Sequence, residues 1–412
     1  MSRSGIKQDL SIKMKSNVDY FIIDFGASLI HTHNKQSIYG FANFLKNHKK
    51  NFEIWIPLGS KIVIPQFTFR RILLPGANPV AFDLKSPDSW IPSLHRIIHD
   101  KIKTSENKFL YKLLLKVNVN QFLLLLRIYS KKNLTSPKIL FPTLCPFSIS
   151  IIKKCITAKK DIEFFCRVTN TSERRGPFSE LFDVKEFINW LNSQDINNVK
   201  LGFETQNFLD KLNLELQDNI FISKFPTNRQ MKSTPRTLDK KITISFLGYP
   251  TKDKGHETIY PIIKDVKKVN NNLRWIVQLY ENDPFESLIR ELNCDVNFLR
   301  GKISQIELEE SFEQSDIIVL PYNIEAFKYN ASATLYQAMD FEIPVITFLG
   351  SGFSDDIEKY KSGLTVKNIS DMITVISTLD RNSIFSLQQG CHDYNLARNL
   401  QNVEFLNLRE AK

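Results

Sequence analysis

The chain has 412 residues, 42% hydrophobic and 24% charged, with 14 glycines and 17 prolines. This is the balance of a soluble globular protein, and it excludes disordered, collagen-like and low-complexity chains. Lys and Arg total 55 against 44 Asp and Glu, a formal charge of +11, which favours anionic partners such as nucleic acid, anionic lipid or phosphate-bearing substrates. The same excess also follows from the Lys-, Asn-, Ile- and Phe-rich usage of an AT-rich genome, so charge alone does not choose a function. At roughly 150 residues per domain the length predicts two or three domains.

Residues 1–17 read as a polar leader. Val18–Phe25 is a short apolar run rich in β-branched and aromatic residues, the pattern of a strand buried on both faces. A loop follows, then a helix carrying Ile38, Phe41, Ala42, Phe44 and Leu45, then a second strand at Phe52–Leu58. Strand, loop, helix and strand within about 40 residues predict a βαβ unit. Further strands are expected at Lys138–Pro142, Ile162–Val168, Val199–Phe203 and Ile220–Phe225, with helices over Ser179–Asn192 and Glu204–Leu216. Between Pro226 and Lys241 the chain is polar, basic and carries two prolines, which predicts a linker.

The alternation then restarts. Strands are expected at Ile242–Gly248, Leu273–Tyr280, Val296–Leu299, Asp316–Tyr322 and Ile343–Leu349. Helices fall at His256–Val269, Pro284–Asn293, Ile306–Gln314, Ala331–Phe341 and Ile369–Leu379, and a long helical tail begins at Ser383. The fold class expected is α/β, with two Rossmann-like doubly wound domains facing a cleft. The domains expected are 18–228 and 242–382, with a linker at 229–241 and a helical tail at 383–412 that crosses back to the first domain.

Cys145, Cys155, Cys166, Cys294 and Cys391 are odd in number and form no Cys-x-x-Cys pair. They suggest neither a disulfide framework nor a zinc site, and they fit a reducing cytoplasm. No secretory signal is expected. No stretch reaches the about 18 uninterrupted apolar residues of a spanning helix; Lys112, Lys116 and Arg127 interrupt the nearest one, Phe109–Tyr129.

Two segments carry chemistry. After the Ile242–Gly248 strand, a turn bears Gly248, Lys252 and Lys254 and opens into a helix near Gly255. A lysine beside a helix N-terminus suits an anion; a solvated turn is the bland reading of the same residues. After the Asp316–Tyr322 strand comes a loop with Glu325, then a helix opening on Ala331, Ser332, Ala333 and Thr334. These small residues admit a ligand to the backbone amides, and the two hydroxyls can donate to phosphate oxygens. An ordinary helix capped by Asn330 or Ser332 is the alternative.

The run Ser315–Phe348 resembles the donor-binding core of GT-B glycosyltransferases of group 1, the family 4-like type: D-I-I-V-L-P-Y stands for its strand and Q-A-M-D-F-E-I-P-V for its E-A-x-x-x-G-x-P-V. F-L-G-x-x-x-K-x-K-G, the N-terminal strand and glycine loop, and Gly363–Val366 resemble three further family motifs in the same order. Three departures stand out. Gln337 replaces the family's second glutamate, Tyr329 stands where the first is counted, and Tyr249 replaces an arginine. Glu325 matches the first glutamate by context instead; eleven residues separate it from Gln337, about one helical turn more than in the family.

The resemblance implies a retaining, metal-independent hexosyltransferase, with a nucleotide-sugar as co-substrate and no other cofactor. The acceptor would be a saccharide or lipid-linked, in surface polysaccharide or lipopolysaccharide biosynthesis. Lys254 and Lys252 would neutralise the donor diphosphate beside Gly248 and Tyr322, and Ala331–Thr334 would hold the same phosphates. Gln337 would reach the ribose, Glu325 would orient the sugar, and Gly26, Ala27 and His33 would face the acceptor. Lys254 and Glu325 are the expected catalytic pair.

His31 and His33 suit either a cleft contact or an idle loop, and His256 suits either phosphate or packing. His95 and His99 have helical i, i+4 spacing but no third metal ligand. Residues 101–132 combine leucines with lysines. They suit either a pair of helices covering the first sheet or an anionic membrane surface, the latter giving a cytoplasmic protein peripheral to the inner face. A sugar-nucleotide epimerase or hydrolase and a non-catalytic glycosyltransferase-like subunit are the rival functions. Nucleic acid is not an expected partner, because no recognition motif accompanies the lysines.

Overall fold

The structure, a computed structural model, describes residues 18–24, 33–57, 66–73, 108–130, 138–158, 161–169, 183–227 and 241–408. In the first half the chain forms β1 (Tyr20–Ile23), α1 (His33–Asn47), β2 (Phe52–Pro57), β3 (Phe69–Leu73), α2 (Lys108–Ser130), β4 (Lys138–Phe141), α3 (Pro146–Thr157), β5 (Glu163–Val168), α4 (Val184–Ser193), β6 (Val199–Phe203), α5 (Gln206–Lys211) and β7 (Ile220–Ile222). The second half forms β8 (Ile242–Phe246), α6 (Ile259–Val269), β9 (Leu273–Leu279), α7 (Pro284–Glu291), β10 (Asp295–Arg300), α8 (Gln305–Gln314), β11 (Ile317–Leu320), α9 (Ile324–Phe327), α10 (Ala333–Asp340), β12 (Val345–Phe348), α11 (Ser354–Tyr360), β13 (Gly363–Val366), α12 (Ile369–Thr378) and α13 (Arg381–Phe405).

The strands pair in parallel into two sheets, ordered β3-β2-β1-β4-β5-β6-β7 and β10-β9-β8-β11-β12-β13. β1, β8 and β11 are buried along their whole length, as helices on both faces of a parallel sheet require. The winding reverses between β1 and β4 and again between β8 and β11. At such a point the loops leaving neighbouring strands diverge and leave a crevice at the strands' carboxyl ends.

The structure departs locally from the sequence reading. The helix expected over Glu204–Leu216 shortens to α5: Thr205 caps its start, and Asn213 turns the chain out of the helix at φ 54°. α4 begins at Val184, where the Asp183 carboxylate accepts from the Glu186 amide at 3.0 Å. A single described helix, α2, stands where a pair was one of the two readings of 101–132. β3 and α11 were not expected, and the loop expected around Glu325 contains the short helix α9. The basic β3 is held at the sheet edge by Arg70, which donates twice to Glu53. The leader, and the linker other than Lys241, lie outside the described residues.

The two halves meet along Ser223–Thr227 and α13. Phe405, Leu406 and Leu408, beyond and at the end of α13, join Tyr20, Ile22, Phe41 and Phe165 in a core of the first half. The Tyr20 hydroxyl donates to the Leu406 carbonyl at 2.7 Å. Asn402 accepts from the Ser223 hydroxyl at 2.9 Å and donates to the Lys224 carbonyl at 2.9 Å. Lys224 is buried and pairs with Asp356 at 2.7 Å; burial lowers its pKa, and Asp356 opposes that shift.

Phe405 is fully buried and meets the Phe165 ring edge-on at 5.9 Å. Phe405→Ala should therefore lower the unfolding free energy by about 3–5 kcal/mol in urea denaturation, a loss far beyond that of an exposed substitution such as Phe385→Ala.

Candidate functional site

The crevice of the second half lies between the turn that leaves β8 and the segment that leaves β11. Two glycines shape the turn. Gly248 has φ 100°, and a Cβ there would lie 2.7 Å from Thr334 Oγ1 and 3.2 Å from Lys254 Nζ. The bare glycine, the hydroxyl and the ammonium therefore converge on one spot. Gly255 has φ 73°, and a Cβ there would lie 1.9 Å from the Pro321 carbonyl oxygen. No side chain fits, so the Lys252–Gly255 turn packs backbone to backbone on the end of β11. The Asn323 amide donates to the Asp253 carbonyl at 2.8 Å and completes the clamp. These contacts carry Lys254 across the crevice, with Nζ 5.9 Å from the Tyr322 ring centroid.

α10 supplies the opposite wall. Ser332 is its N-cap, accepting from the Leu335 amide at 3.1 Å, and its hydroxyl lies 3.4 Å from that of Tyr322. Ser332 and Thr334 are both buried, while Ala331 and Ala333 are half-buried at the helix start. The first amides of a helix have no intrahelical acceptor. The spot at Gly248 thus lies beside donors, a helix dipole's positive end and one lysine, which is the chemistry that receives an anion. Among the described residues, no cluster of His, Cys, Asp and Glu is arranged to hold a metal ion.

The remaining residues singled out in the sequence are placed as follows. Lys252 is exposed at the start of the turn. Glu325 is exposed on the short α9, which Asn323 caps by accepting from the Ala326 amide at 3.1 Å. Gln337 is half-buried on α10. Tyr249 is exposed and meets Tyr280 edge-on at 5.7 Å. His256 Nε2 bonds Asp283 Oδ2 at 2.5 Å, and its ring lies among Tyr280 and Phe285, so it packs the turn against the capped start of α7. Gly26, Ala27, His31, His95 and His99 lie outside the described residues, as does the side chain of His33, the first residue of α1.

The sequence reading missed Gln278. Buried in β9, it accepts from the Gly248 amide at 2.9 Å and donates to the Gly301 carbonyl at 2.9 Å, tying the β8 turn to the end of β10. Its signal was a lone amide in the apolar strand L-R-W-I-V-Q-L; a polar group buried there needs partners.

The family model described as Glycosyl transferases group 1 matches residues 227–378. That range holds the crevice, and the family it matches is the one the sequence resembles. No curated protein matches the chain in sequence. Among solved structures, the apo form of the lipopolysaccharide outer core galactosyltransferase WaaB is similar over 94% of this chain and 98% of its own, at 13% identity and a TM-score of 0.58. Sucrose-phosphate synthase from Thermosynechococcus elongatus is similar over 95% and 97%, at 12% identity and a TM-score of 0.57. A glycosyltransferase from Rickettsia africae ESF-5 is similar over 95% and 96%, at 13% identity and a TM-score of 0.56. The chain spans 55% of the length of TarM, at a TM-score of 0.46. At these identities the likeness establishes the fold, which is GT-B, two Rossmann-like domains, as the sequence led one to expect.

Gly255→Ala combines a positive φ with a backbone collision. It should cost about 1–3 kcal/mol or more in thermal denaturation, while Lys252→Ala, at the exposed start of the same turn, should change stability by no more than about 0.5 kcal/mol.

Proposed function

We propose that the chain, through its group 1 domain, moves a sugar from a nucleotide-sugar donor to a saccharide or lipid-linked acceptor. The observation that carries this reading is the convergence of Lys254 Nζ and Thr334 Oγ1 on the bare face of Gly248, beside the start of α10. A nucleoside diphosphate leaves as an anion while the sugar develops oxocarbenium character. Charge placed in advance where the diphosphate departs lowers the barrier, because those groups need no reorganisation at the moment of reaction. Lys254 supplies the positive charge, and Ser332, Thr334 and the first amides of α10 supply the donors.

In the same reading, Gln337 hydrogen-bonds the ribose as a neutral amide and Glu325 orients the sugar hydroxyls. The retaining outcome, independence from a metal and a role in surface polysaccharide assembly belong to the proposal and rest on the family resemblance. Product analysis with and without acceptor separates transfer from epimerisation or hydrolysis. A subunit without catalytic function would yield neither product.

The membrane surface is a second part of the proposal, supported by α2. Its inner face sends Val119, Phe122, Leu125 and Leu126 into the first core. Leu113, Val117 and Leu124 are exposed, in company with Lys112, Lys116 and Arg127. Among the described residues, no helix is long and apolar enough to cross a membrane. An amphipathic basic helix instead lies in an anionic interface, which would place the protein at the inner face of a membrane and suit a lipid-linked acceptor.

Two measurements test these readings. In titration calorimetry with nucleoside diphosphates, Lys254→Ala should weaken the best binder about 10- to 100-fold, the worth of a charge-assisted hydrogen bond; an unchanged affinity would refute the phosphate site. In vesicle flotation, the chain should bind vesicles containing anionic lipid and not zwitterionic ones, and Leu124→Asp should release it. Equal binding of both vesicle types, or of neither, would remove the membrane from the proposal.

A further inference from the structure

The segment between α9 and α10 belongs to the second domain by chain position, yet its middle rests on the first. The Tyr329 ring packs against the first domain's core cluster. Lys211, the last residue of α5, holds its Nζ 5.3 Å from the Tyr329 centroid and 5.6 Å from that of Phe208. One ammonium therefore sits over a ring from each domain. The Tyr329 carbonyl accepts from Thr205 Oγ1 at 3.4 Å, and the neighbouring Lys328 carbonyl accepts from Asn207 Nδ2 at 3.4 Å. Thr205 is buried, and its hydroxyl oxygen also caps α5 by accepting from the Phe208 amide at 3.2 Å.

On its own side the segment is rigid. The Gly352 amide donates to the Phe327 carbonyl at 2.8 Å. A Cβ at Gly352 would lie 2.9 Å from the carbonyl oxygens of Phe327, Lys328 and Asn330, so the turn is moulded onto that glycine. Asn330 Nδ2 donates to the Ala326 carbonyl at 2.6 Å and closes the loop on itself. A rigid turn that touches the other domain transmits that domain's position. Here it transmits it to Glu325 on one flank and to Ser332 and Thr334 on the other.

We propose that Tyr329 is a positioning residue, a clasp that seats the 325–332 segment on α5 of the first domain and sets the crevice's α10 wall according to how closely the two domains approach. The clasp stands on the contacts alone; its effect on a nucleotide-sugar rests on the function proposed above. Its two hydrogen bonds are long, so the ring and the Lys211 ammonium carry the contact. Such a contact is reversible, and it biases an equilibrium between seated and open arrangements instead of locking one.

The test compares the full-length wild type with Tyr329→Ala, Tyr329→Phe and Lys211→Ala by small-angle X-ray scattering and hydrogen exchange. Tyr329→Ala should enlarge the radius of gyration and speed exchange at both 206–211 and 327–332. Tyr329→Phe, which keeps the ring, should match the wild type, and Lys211→Ala should fall between. In donor kinetics, if the seated fraction drops to about a tenth, the donor KM of Tyr329→Ala rises about tenfold, and Tyr329→Phe restores it. Superimposable scattering for wild type and Tyr329→Ala, or Tyr329→Phe behaving like Tyr329→Ala, would overturn the clasp. If no nucleotide-sugar binds any form, the function reading fails, and scattering with exchange still decides the clasp.

Discussion

The relative placement of the two domains depends on a buried ladder of charge and aromatic rings. The Arg167 guanidinium lies 3.8 Å from the centroid of Phe225. Phe225 meets Tyr336 edge-on at 5.2 Å, and the Arg398 guanidinium lies 5.7 Å from the far ring. A carboxylate neutralises each end, Glu204 for Arg167 and Asp340 for Arg398. All four rungs are buried. Burying two guanidiniums costs heavily in desolvation, and only the paired carboxylates and further acceptors offset it. Arg167 finds those acceptors in the Ser223 carbonyl and the Ser37 hydroxyl, each at 3.2 Å. The same burial pushes the Tyr336 phenol and the Glu204 carboxyl above their ordinary values. The ladder is worth little as net stability, but a break on either side strands a charge without water, so the register of the two domains is sharply specified.

That register matters for the proposed site because the ladder and the crevice share a helix. α10 begins at the Ser332 cap, exposes Thr334 to the spot at Gly248, carries Tyr336 into the ladder, and ends at Asp340 on Arg398. The Thr227 hydroxyl also reaches Asp340, at 2.8 Å, so the chain leaving the first domain grips the end of the helix that builds the site. A helix pinned at its last residue and in its middle holds its first amides steady, as the phosphate site proposed above requires. The Tyr329 clasp approaches the same helix from its other end through a softer contact. The stiff connection and the weak one thus converge on one element, which suits a cleft that must both hold its geometry and open.

Much of this architecture was legible in the chain. Tyr20–Ile23, Ile242–Phe246 and Ile317–Leu320 are apolar runs whose burial on both faces is required in any parallel sheet, and the helices between them carry their own period. The glycine-lysine turn was legible too, because Gly248, Lys254 and Gly255 stand within a few residues of each other. β3 was not expected because what holds Arg70 in the sheet is Glu53 on the neighbouring strand, seventeen residues away in the chain. Gln278 was hidden for a related reason: its partners, Gly248 and Gly301, are far from it in sequence. Tyr329 read as a departure from a motif, and only the first domain's α5 gives its ring a place.

Local pattern therefore determined the two-domain α/β class, the strand order's raw material and the lysine turn, since these follow from short-range periodicity and backbone chemistry. Tertiary structure alone decided which partner each charge meets. Arg167 with Glu204, Arg398 with Asp340, Lys224 with Asp356 and Lys211 with Tyr329 are each separated by dozens of residues or more. The energy of such pairs depends on distance and burial, and neither is written in the spacing of residues along a chain.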